Sequence, residues 1–246
     1  MKTFIVGVFI LLPFIGYGQE TVKRSKAHTT PLYYKEVYYV LKSDKKTLEG
    51  SYAKLTVNGE TLVDGFYKNG QKDSIWTEYD RSGKIIEKGK YENGKKSGIW
   101  NCYLYNGTLD LSYDFTKDSL LYYRVDSKTA NMMFTIVTDS GNKKVKLDRI
   151  PLYLDGTAMI YNIIGQNLRY PVKAMINHIS GRVNVTFTID HVGKVSNYRI
   201  TSGFDEECEE EALRVTKLIQ GPWLPALYEN KPVSVEYTVP IRFATL

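Results

Sequence analysis

Cysteine and histidine, which supply most metal and redox sites, are scarce in this chain. Among its 246 residues there are 2 Cys and 3 His. Cys102 and Cys208 lie about a hundred residues apart, and we expect two buried, inert thiols in place of a disulfide. His28, His178 and His191 have no partner at metal-ligand spacing, and no phosphate loop or nucleophile elbow is present. The sequence therefore predicts no enzyme, and no catalytic, cofactor-binding or metal-binding residues.

A one-sided charge is also missing from the two long segments of the chain. Residues 47–126 carry 11 basic and 12 acidic side chains, and residues 169–246 carry 9 of each. The formal net charge of +6 comes mainly from residues 19–46, with 7 basic and 3 acidic side chains, and from residues 127–168. Binding to nucleic acid needs a basic face that neutralises phosphates. The charge distribution therefore excludes DNA and RNA as expected partners.

Long hydrophobic runs are absent except at the N-terminus. The stretch Thr3–Gly18 carries no charge, has an apolar core at Phe4–Phe14 and is interrupted by Pro13. About 16 residues are short for a membrane-spanning helix, and small residues precede the junction between Gly18 and Gln19. Residues 1–18 are therefore predicted to be a signal peptide cleaved after Gly18, which gives a periplasmic protein. The alternative is a retained anchor in the inner membrane that faces the periplasm.

Tyrosine and glycine are abundant, and many of them recur at an offset of 24 residues. The best copies are Gly65–Trp76 and Gly89–Trp100, and each contains an Asn-Gly pair. Asn-Gly tolerates the positive φ angles of a two-residue hairpin turn, so each copy is predicted to be strand, turn, strand.

The repeat resembles MORN-type repeats of bacterial envelope proteins over about residues 47–115. This resemblance implies a folded scaffold or an interaction surface, within an N-terminal domain expected at residues 31–126. Trp76 and Trp100 occupy the same position in both copies, which favours core packing over a sugar-stacking platform.

The region from about Asp148 has a different pattern, with alternating helical and strand periodicities. Helices are predicted at Ala158–Leu168 and Cys208–Ile219, strands at Gly181–Ile189 and Val195–Thr201, and a last strand through Phe243. Residues 127–147 are expected to be a connector. The predicted fold class is α+β: an N-terminal antiparallel repeat sheet followed by two helices on a three-stranded antiparallel sheet.

Several motifs of this region occur in one order: Asn167-Leu168-Arg169-Tyr170-Pro171, the alternating run Gly181–Asp190, Glu210–Arg214, Trp223-x-Pro225-Ala226 and Lys231-Pro232-Val233. Together they resemble the C-terminal domain of TonB-type energy transducers, over about residues 148–246. The resemblance implies a domain that binds a short extended segment, the TonB box, at the plug of an outer-membrane transporter, or a segment of another envelope protein.

Strand addition to an exposed sheet edge is the physical basis of such binding, because unpaired amides and carbonyls complete their ladder with the peptide. The edge would be the last strand, Ser234–Phe243, with Pro232 and Pro240 expected to bracket the usable stretch because they cannot donate. The outward residues of this strand are the candidate partner-binding residues: Ser234, Glu236, Thr238 and Arg242.

The resemblance implies two further features of a full transducer: an N-terminal anchor with a functional histidine and a long Pro-rich spacer. Neither is visible in the sequence, because residues 1–27 contain no His and residues 127–168 contain only one proline, Pro151. Two alternatives to the peptide-binding module stay open. One is a membrane-anchored transducer whose partners include an inner-membrane proton-channel complex, and the other is a scaffold that binds the cell wall through the repeats. Exposed edges would also permit a strand-swapped homodimer.

Overall fold

The structure is a computed structural model that describes residues 19–29, 33–139 and 141–244. Residues 1–18, the predicted signal peptide that ends at Gly18, lie outside the described residues. No helix within the described ranges is long and apolar enough to cross a membrane.

Nine antiparallel strands form one sheet in which every strand pairs with its neighbours in sequence. We call it the repeat sheet. Its strands are β1 Thr21–His28, β2 Tyr34–Leu41, β3 Leu48–Leu55, β4 Thr61–Lys68, β5 Gln71–Tyr79, β6 Ile85–Glu92, β7 Lys95–Tyr103, β8 Leu109–Asp114 and β9 Ser119–Tyr123. The predicted N-terminal antiparallel sheet is therefore present, and β1 and β2 extend it before the first recognisable repeat.

Tight turns join the strands of each repeat as the Asn-Gly pairs predict. Asn69 and Gly70 have φ angles of 51° and 76°, and Asn93 and Gly94 have 50° and 78°. The two copies have the same backbone conformation even where their residues differ. Ser74 has a φ of 60°, and Gly98, at the equivalent position of the second copy, has a φ of 61°. The backbone shape is thus repeated even where glycine is replaced.

Trp76 and Trp100 form the core of the repeat sheet. They are 3% and 2% exposed, and each lies flat over a glycine of the preceding strand. A Cβ atom at Gly65 would lie 2.2 Å from the Trp76 ring, and one at Gly89 would lie 2.1 Å from the Trp100 ring. The indole Nε1 of Trp100 donates to the Lys90 carbonyl at 3.0 Å. Core packing of both tryptophans is confirmed, and the sugar-stacking alternative is wrong because neither ring is accessible.

Lysine ammonium groups and aromatic rings alternate along the same face of the repeat sheet. Lys72 Nζ lies 4.2 Å from the centre of the Trp76 ring, and Lys96 Nζ lies 3.9 Å from that of Trp100. Tyr91 packs edge-on between the two tryptophans. Burial lowers the pKa of Lys72, so its charge depends on these rings and on nearby carboxylates.

The rest of the chain folds around a second sheet of five strands, the carboxy-terminal sheet, in the order β11-β10-β18-β13-β14. Its strands are β10 Met133–Ile136, β11 Lys143–Lys146, β13 Gly181–Ile189, β14 Val195–Ser202 and β18 Val235–Phe243. Two small ladders lie beside it, formed by β12 Leu152–Tyr153 with β15 Trp223–Leu224 and by β16 Ala226–Tyr228 with β17 Lys231–Val233. The helices are α1 Ser127–Ala130, α2 Thr157–Asn167, α3 Val172–Ile176 and α4 Glu206–Thr216.

The prediction of two helices on three strands is corrected in two places. The expected connector contributes the hairpin β10–β11 to the sheet, and the short helix α3 follows Pro171. The segment around Trp223, where the sequence analysis predicted no strand, forms β15, which pairs with β12. These strands have two to four residues, so their sequences are too short to show a period, and their conformation depends on distant partners.

Helices α2 and α4 cover the inner face of the carboxy-terminal sheet. Val183, Val185 and Phe187 of β13 are at most 1% exposed and form one core with Ile160 and Val215 from the helices. Asp205 caps α4 by accepting a 3.0 Å hydrogen bond from the Cys208 amide. The acidic residues around it lie in the first turn, where the helix dipole favours negative charge.

Charged groups and hydrogen bonds join the repeat sheet to the start of α2. Lys96 on β7 forms ion pairs with Glu87 on β6 and with Asp155, the latter at 2.7 Å between Nζ and Oδ1. The Asp110 carboxylate accepts from the Thr157 amide at 3.0 Å. Burial raises the pKa of Glu87 to about 8. Burial alone would lower the pKa of Lys96, but the two carboxylates outweigh it and raise that pKa.

Gly89→Ala tests the packing of Trp100 in the repeat sheet. The added methyl group would overlap the indole, so we expect the free energy of unfolding to fall by about 3 kcal/mol. Gly165→Ala in α2 is the control, because no atom lies within 4 Å of its added Cβ and alanine favours a helix by roughly 0.5–1 kcal/mol. Urea denaturation of both variants measures the difference, and equal stabilities would contradict this packing.

Glu87→Gln tests the buried charge cluster. A pKa raised from 4.5 to about 8 in the folded state means that the stabilising contribution is complete below about pH 4.5 and is lost as the pH rises through about 8. Glutamine resembles the protonated form, so the stability advantage of the variant over the original protein should grow from near zero at about pH 4.5 to a few kcal/mol at about pH 8.

Denaturation at a series of pH values measures this difference. Glu92→Gln, at the exposed end of the same strand, is the control, because the hydrogen bond from Lys90 lowers the pKa of Glu92 below this window. A stability difference between Glu87→Gln and the original protein that does not change with pH would contradict a raised pKa at Glu87.

Candidate functional site

Strand β18 is fully paired on one side and almost unpaired on the other. All nine of its residues pair with β13, from Val235 opposite Ile189 to Phe243 opposite Gly181. On the other side β10 pairs only at Ile136 opposite Val235, next to a 2.9 Å hydrogen bond from the Val137 amide to the Ser234 carbonyl. The predicted edge is therefore covered through Val235 and the Glu236 amide, and it is open from the Glu236 carbonyl to Phe243. We call this stretch the open edge.

The hydrogen bond at Ser234 also fixes which backbone groups face the open edge. Backbone groups in a strand point alternately to its two sides, so the even-numbered residues from Glu236 to Arg242 share the direction of Ser234. Pro240 belongs to this set, and its missing N–H removes no hydrogen bond to β13. Pro240 therefore presents its ring and no amide to the open edge, and the expectation that it brackets the usable stretch stays a prediction. Amides face this edge at Thr238 and Arg242, and carbonyls face it at Thr238, Pro240 and Arg242.

The side chains of the four candidate residues have different surroundings. Ser234 contributes its carbonyl to β10. The Glu236 carboxylate accepts from Arg199 Nη2 at 2.6 Å, and the Thr238 hydroxyl lies 2.8 Å from the Thr186 hydroxyl. Arg242 is exposed, and no carboxylate within the described ranges forms an ion pair with it. Three of the four are therefore already engaged in the sheet, and Arg242 presents its full charge to solvent.

The opposite face of β18 is anchored in the protein core. Val239, Ile241 and Phe243 are at most 2% exposed. Tyr237 packs against Trp223 and Phe187 with ring centres 5.0 and 5.6 Å away, and burial raises the pKa of its hydroxyl. The backbone of the open edge is thus held in an extended conformation without help from a second neighbour.

A cleft of about 500 Å³ runs beside the first half of the open edge. Its far wall combines the end of the repeat sheet with β10, because β10 diverges from β18 before Ile136. Arg124 donates to Asp126 at 2.7 Å, and this hydrogen bond holds the pKa of Asp126 below its usual range. Met133, 58% exposed, and Tyr161, 46% exposed, add apolar surface.

These wall residues were not predicted from the sequence. Arg124 follows β9, Met133 opens β10 and Tyr161 is on α2, so only the tertiary fold brings them to β18. The one sequence signal is the position of Tyr161, which lies outside the apolar stripe of α2 and is therefore free to face a ligand.

Groups suited to covalent or metal chemistry are not assembled at the open edge. Both cysteines are free and buried, and burial raises the thiol pKa of Cys208 to about 12 and that of Cys102 well above its usual value. Within residues 19–29, 33–139 and 141–244, no three His, Cys, Asp or Glu side chains are placed to hold a metal ion. The arrangement at β18 is suited to backbone pairing with an extended chain.

Comparison with known proteins finds a family match in the carboxy-terminal region. Residues 166–245 match the family described as Gram-negative bacterial TonB protein C-terminal. The solution structure of the TonB C-terminal domain of Helicobacter pylori is similar at 26% sequence identity, over 35% of this chain and 78% of that chain, with a TM-score of 0.29. No curated protein matches the chain.

Proposed function

We propose that this protein is a periplasmic binding module that takes up an extended peptide segment by strand addition at the open edge of β18. The peptide would belong to the plug of an outer-membrane transporter or to another envelope protein. The observation that carries the proposal is the asymmetry of β18, which is paired at all nine residues with β13 and at one residue with β10. The match of residues 166–245 to the TonB C-terminal family supports it.

An unpaired edge in a well-packed sheet is a template for another strand. Thr238 and Arg242 offer both an amide and a carbonyl at this edge, and Pro240 offers a carbonyl. A peptide that pairs with them gains main-chain hydrogen bonds, while its alternate side chains contact the two faces of the sheet. On the inner side these side chains would reach Tyr161 and Met132 in the cleft.

The repeat sheet would act as the platform that presents this edge. It is joined to α2 by the Lys96–Asp155 ion pair and by the 3.0 Å hydrogen bond from the Tyr105 hydroxyl to the Ala158 carbonyl. It also supplies Arg124 and Asp126 to the wall of the cleft. A peptide in the cleft would therefore contact both parts of the protein, which gives the repeats a role in binding beyond support.

The alternative of a membrane-anchored transducer depends on residues 1–18, which lie outside the described residues. The alternative of a scaffold that binds the cell wall through the repeats gains no support from Trp76 and Trp100, because both rings are buried. Strand addition at β18 therefore has the most direct support among the three functions.

Thr238→Pro tests strand addition. Proline removes the amide that faces the open edge and places its ring where a partner strand would lie, so we expect peptide binding to weaken roughly tenfold or more. The amide of Thr238 points away from β13, so the fold should persist, as it does with Pro240 two residues later. Binding is measured by fluorescence polarisation, using overlapping peptides that span the plug domains of the outer-membrane transporters encoded by the same genome.

Two variants serve as controls for this experiment. Thr238→Ala keeps the backbone amide and removes only the hydroxyl. Lys144→Pro places a proline on β11, an outer strand of the same sheet that does not pair with β18. Both should bind within a few-fold of the original protein. If Thr238→Pro bound as well as Thr238→Ala, strand addition at this edge would be wrong.

A further inference from the structure

A pocket of about 280 Å³ lies between the first strands of the repeat sheet and helix α2. Strands β2, β3 and β4 and the turns after β3 and β5 supply most of its lining, and α2 supplies Gln166. Small-molecule sites occur preferentially where two parts of a protein meet, and their volumes begin at about 300 Å³. None of the residues that line this pocket lines the cleft beside β18. We call it the Lys54 pocket.

Apolar and aromatic side chains form part of the lining of the Lys54 pocket. Leu62 is buried, whereas Tyr33 and Val57 are exposed and would lose contact with water when a ligand binds. The Tyr34 ring stacks on the His28 ring with 4.4 Å between their centres, and this contact fixes its orientation. The lining is therefore suited to the apolar body of a small ligand, for which a single ring is large enough.

The ammonium group of Lys54 is half-buried in this pocket without a counter-ion. Its Nζ lies 4.2 Å from the centre of the Tyr34 ring and 3.4 Å from Oε1 of Gln166. Within the part of the chain that the structure describes, no carboxylate forms an ion pair with it. An ammonium group has three hydrogens to donate, and this one long hydrogen bond uses one of them. Burial accordingly lowers the pKa of Lys54.

The carboxylates that attract Lys54 from a longer distance are Glu78 and Glu36. Glu36 is held elsewhere, because it forms 2.7 Å hydrogen bonds with His28 and with the Tyr52 hydroxyl. Burial raises the pKa of Glu78, so its own charged form is also disfavoured. A buried charge without a partner is costly, and an anion in the pocket would remove this cost.

The other charged groups of the lining favour an anion with a single charge. Arg81, in the turn after β5, is exposed and forms no ion pair with the described residues. Glu60 is the one acidic residue among the described residues of the lining, and its carboxylate accepts a 3.2 Å hydrogen bond from the Thr56 hydroxyl. Two positive side chains and one negative side chain leave one positive charge in excess. One carboxylate neutralises it, whereas a dianion would leave an excess of negative charge.

We infer that the Lys54 pocket binds a small organic monocarboxylate whose body is a single ring. The carboxylate would accept hydrogen bonds from Lys54 and Arg81, and the ring would lie against Tyr33 and Leu62. This adds a small-molecule site to the protein, at a place separate from the open edge. It does not depend on strand addition at β18, so each of the two proposals can fail while the other stands.

The test is a titration of the full chain with benzoate, cyclohexanecarboxylate and 4-hydroxyphenylacetate, each beside its neutral amide. Backbone amide shifts in NMR spectra report where each compound binds. We expect at least one acid to shift the amides of the pocket residues and to bind roughly tenfold more tightly than its amide, because the hydrogen bonds from Lys54 and Arg81 are charge-assisted. Phenylphosphonate, which carries a second charge near neutral pH, should bind more weakly than benzoate.

The inference would be overturned if no acid bound, if the acids bound no more tightly than their amides, or if they shifted only amides outside the pocket. Tighter binding of phenylphosphonate than of benzoate would contradict the preference for a single charge.

Lys54→Met tests the cation, since methionine keeps an unbranched side chain and removes the charge. The preference of the acid over its amide should fall roughly tenfold, and the fold should persist because a half-buried unpaired charge is removed. Arg81→Gln, in an exposed turn outside every strand, should reduce the same preference about threefold without altering the sheet. Lys88→Met on β6 is the control, because Lys88 is exposed and lies outside the pocket.

Urea denaturation first establishes that the variants are folded. The control should keep the full preference for the acid. If Lys54→Met and Arg81→Gln kept it as well, the acid would bind without these two cations and the inference would be wrong.

Discussion

The nine-residue ladder between β13 and β18 is the constraint on which the rest of the carboxy-terminal region depends. It joins the two strands that carry most of the buried valine, isoleucine and phenylalanine side chains beneath α2 and α4. Because this ladder and the core fix β18 completely, the strand needs no second neighbour for its stability. Its other side is consequently free to present unpaired amides and carbonyls without loss of structure, which few strands in the middle of a sheet do.

The hairpin β10–β11 limits how much of that side is available. It pairs with β18 at one residue and then diverges, so that a cleft opens where a full ladder between β10 and β18 would otherwise close the edge. The repeat sheet contributes to the same cleft through Arg124 and Asp126. Its contacts with α2 keep that wall in place. The two halves of the molecule therefore line one cleft, and their cores are also shared, because Ile86 of β6 packs in the core under α2 and α4 and Leu154 packs against Cys102 and Leu111 of the repeat sheet.

Most long elements of this fold could be predicted from local sequence, and most short ones could not. The Asn-Gly pairs predicted the hairpin turns because few other pairs adopt their φ angles, and strict alternation predicted β13 over Gly181–Ile189. Strands β10 and β11 have four residues each, and their conformation is decided by pairing with each other and with Val235.

In the candidate site, too, the features that lie within one strand could be predicted and the contacts between strands could not. Glu236, Thr238 and Arg242 were predicted because alternation within one strand identifies its outward residues. The partners that occupy Glu236 and Thr238, namely Arg199 and Thr186, depend on the register between strands, which the sequence does not reveal. Met133 and Tyr161 reach the cleft only through the relative position of three distant elements.

Amide hydrogen exchange at β18 is the measurement that tests the central claim most directly. In the free protein, the amides of Thr238 and Arg242 should exchange rapidly, while those of Tyr237, Val239 and Ile241 should be protected by β13. Addition of a plug peptide that binds should protect Thr238 and Arg242 and leave the other three unchanged. Protection of Thr238 and Arg242 in the free protein, or no gain on peptide binding, would contradict strand addition at the open edge.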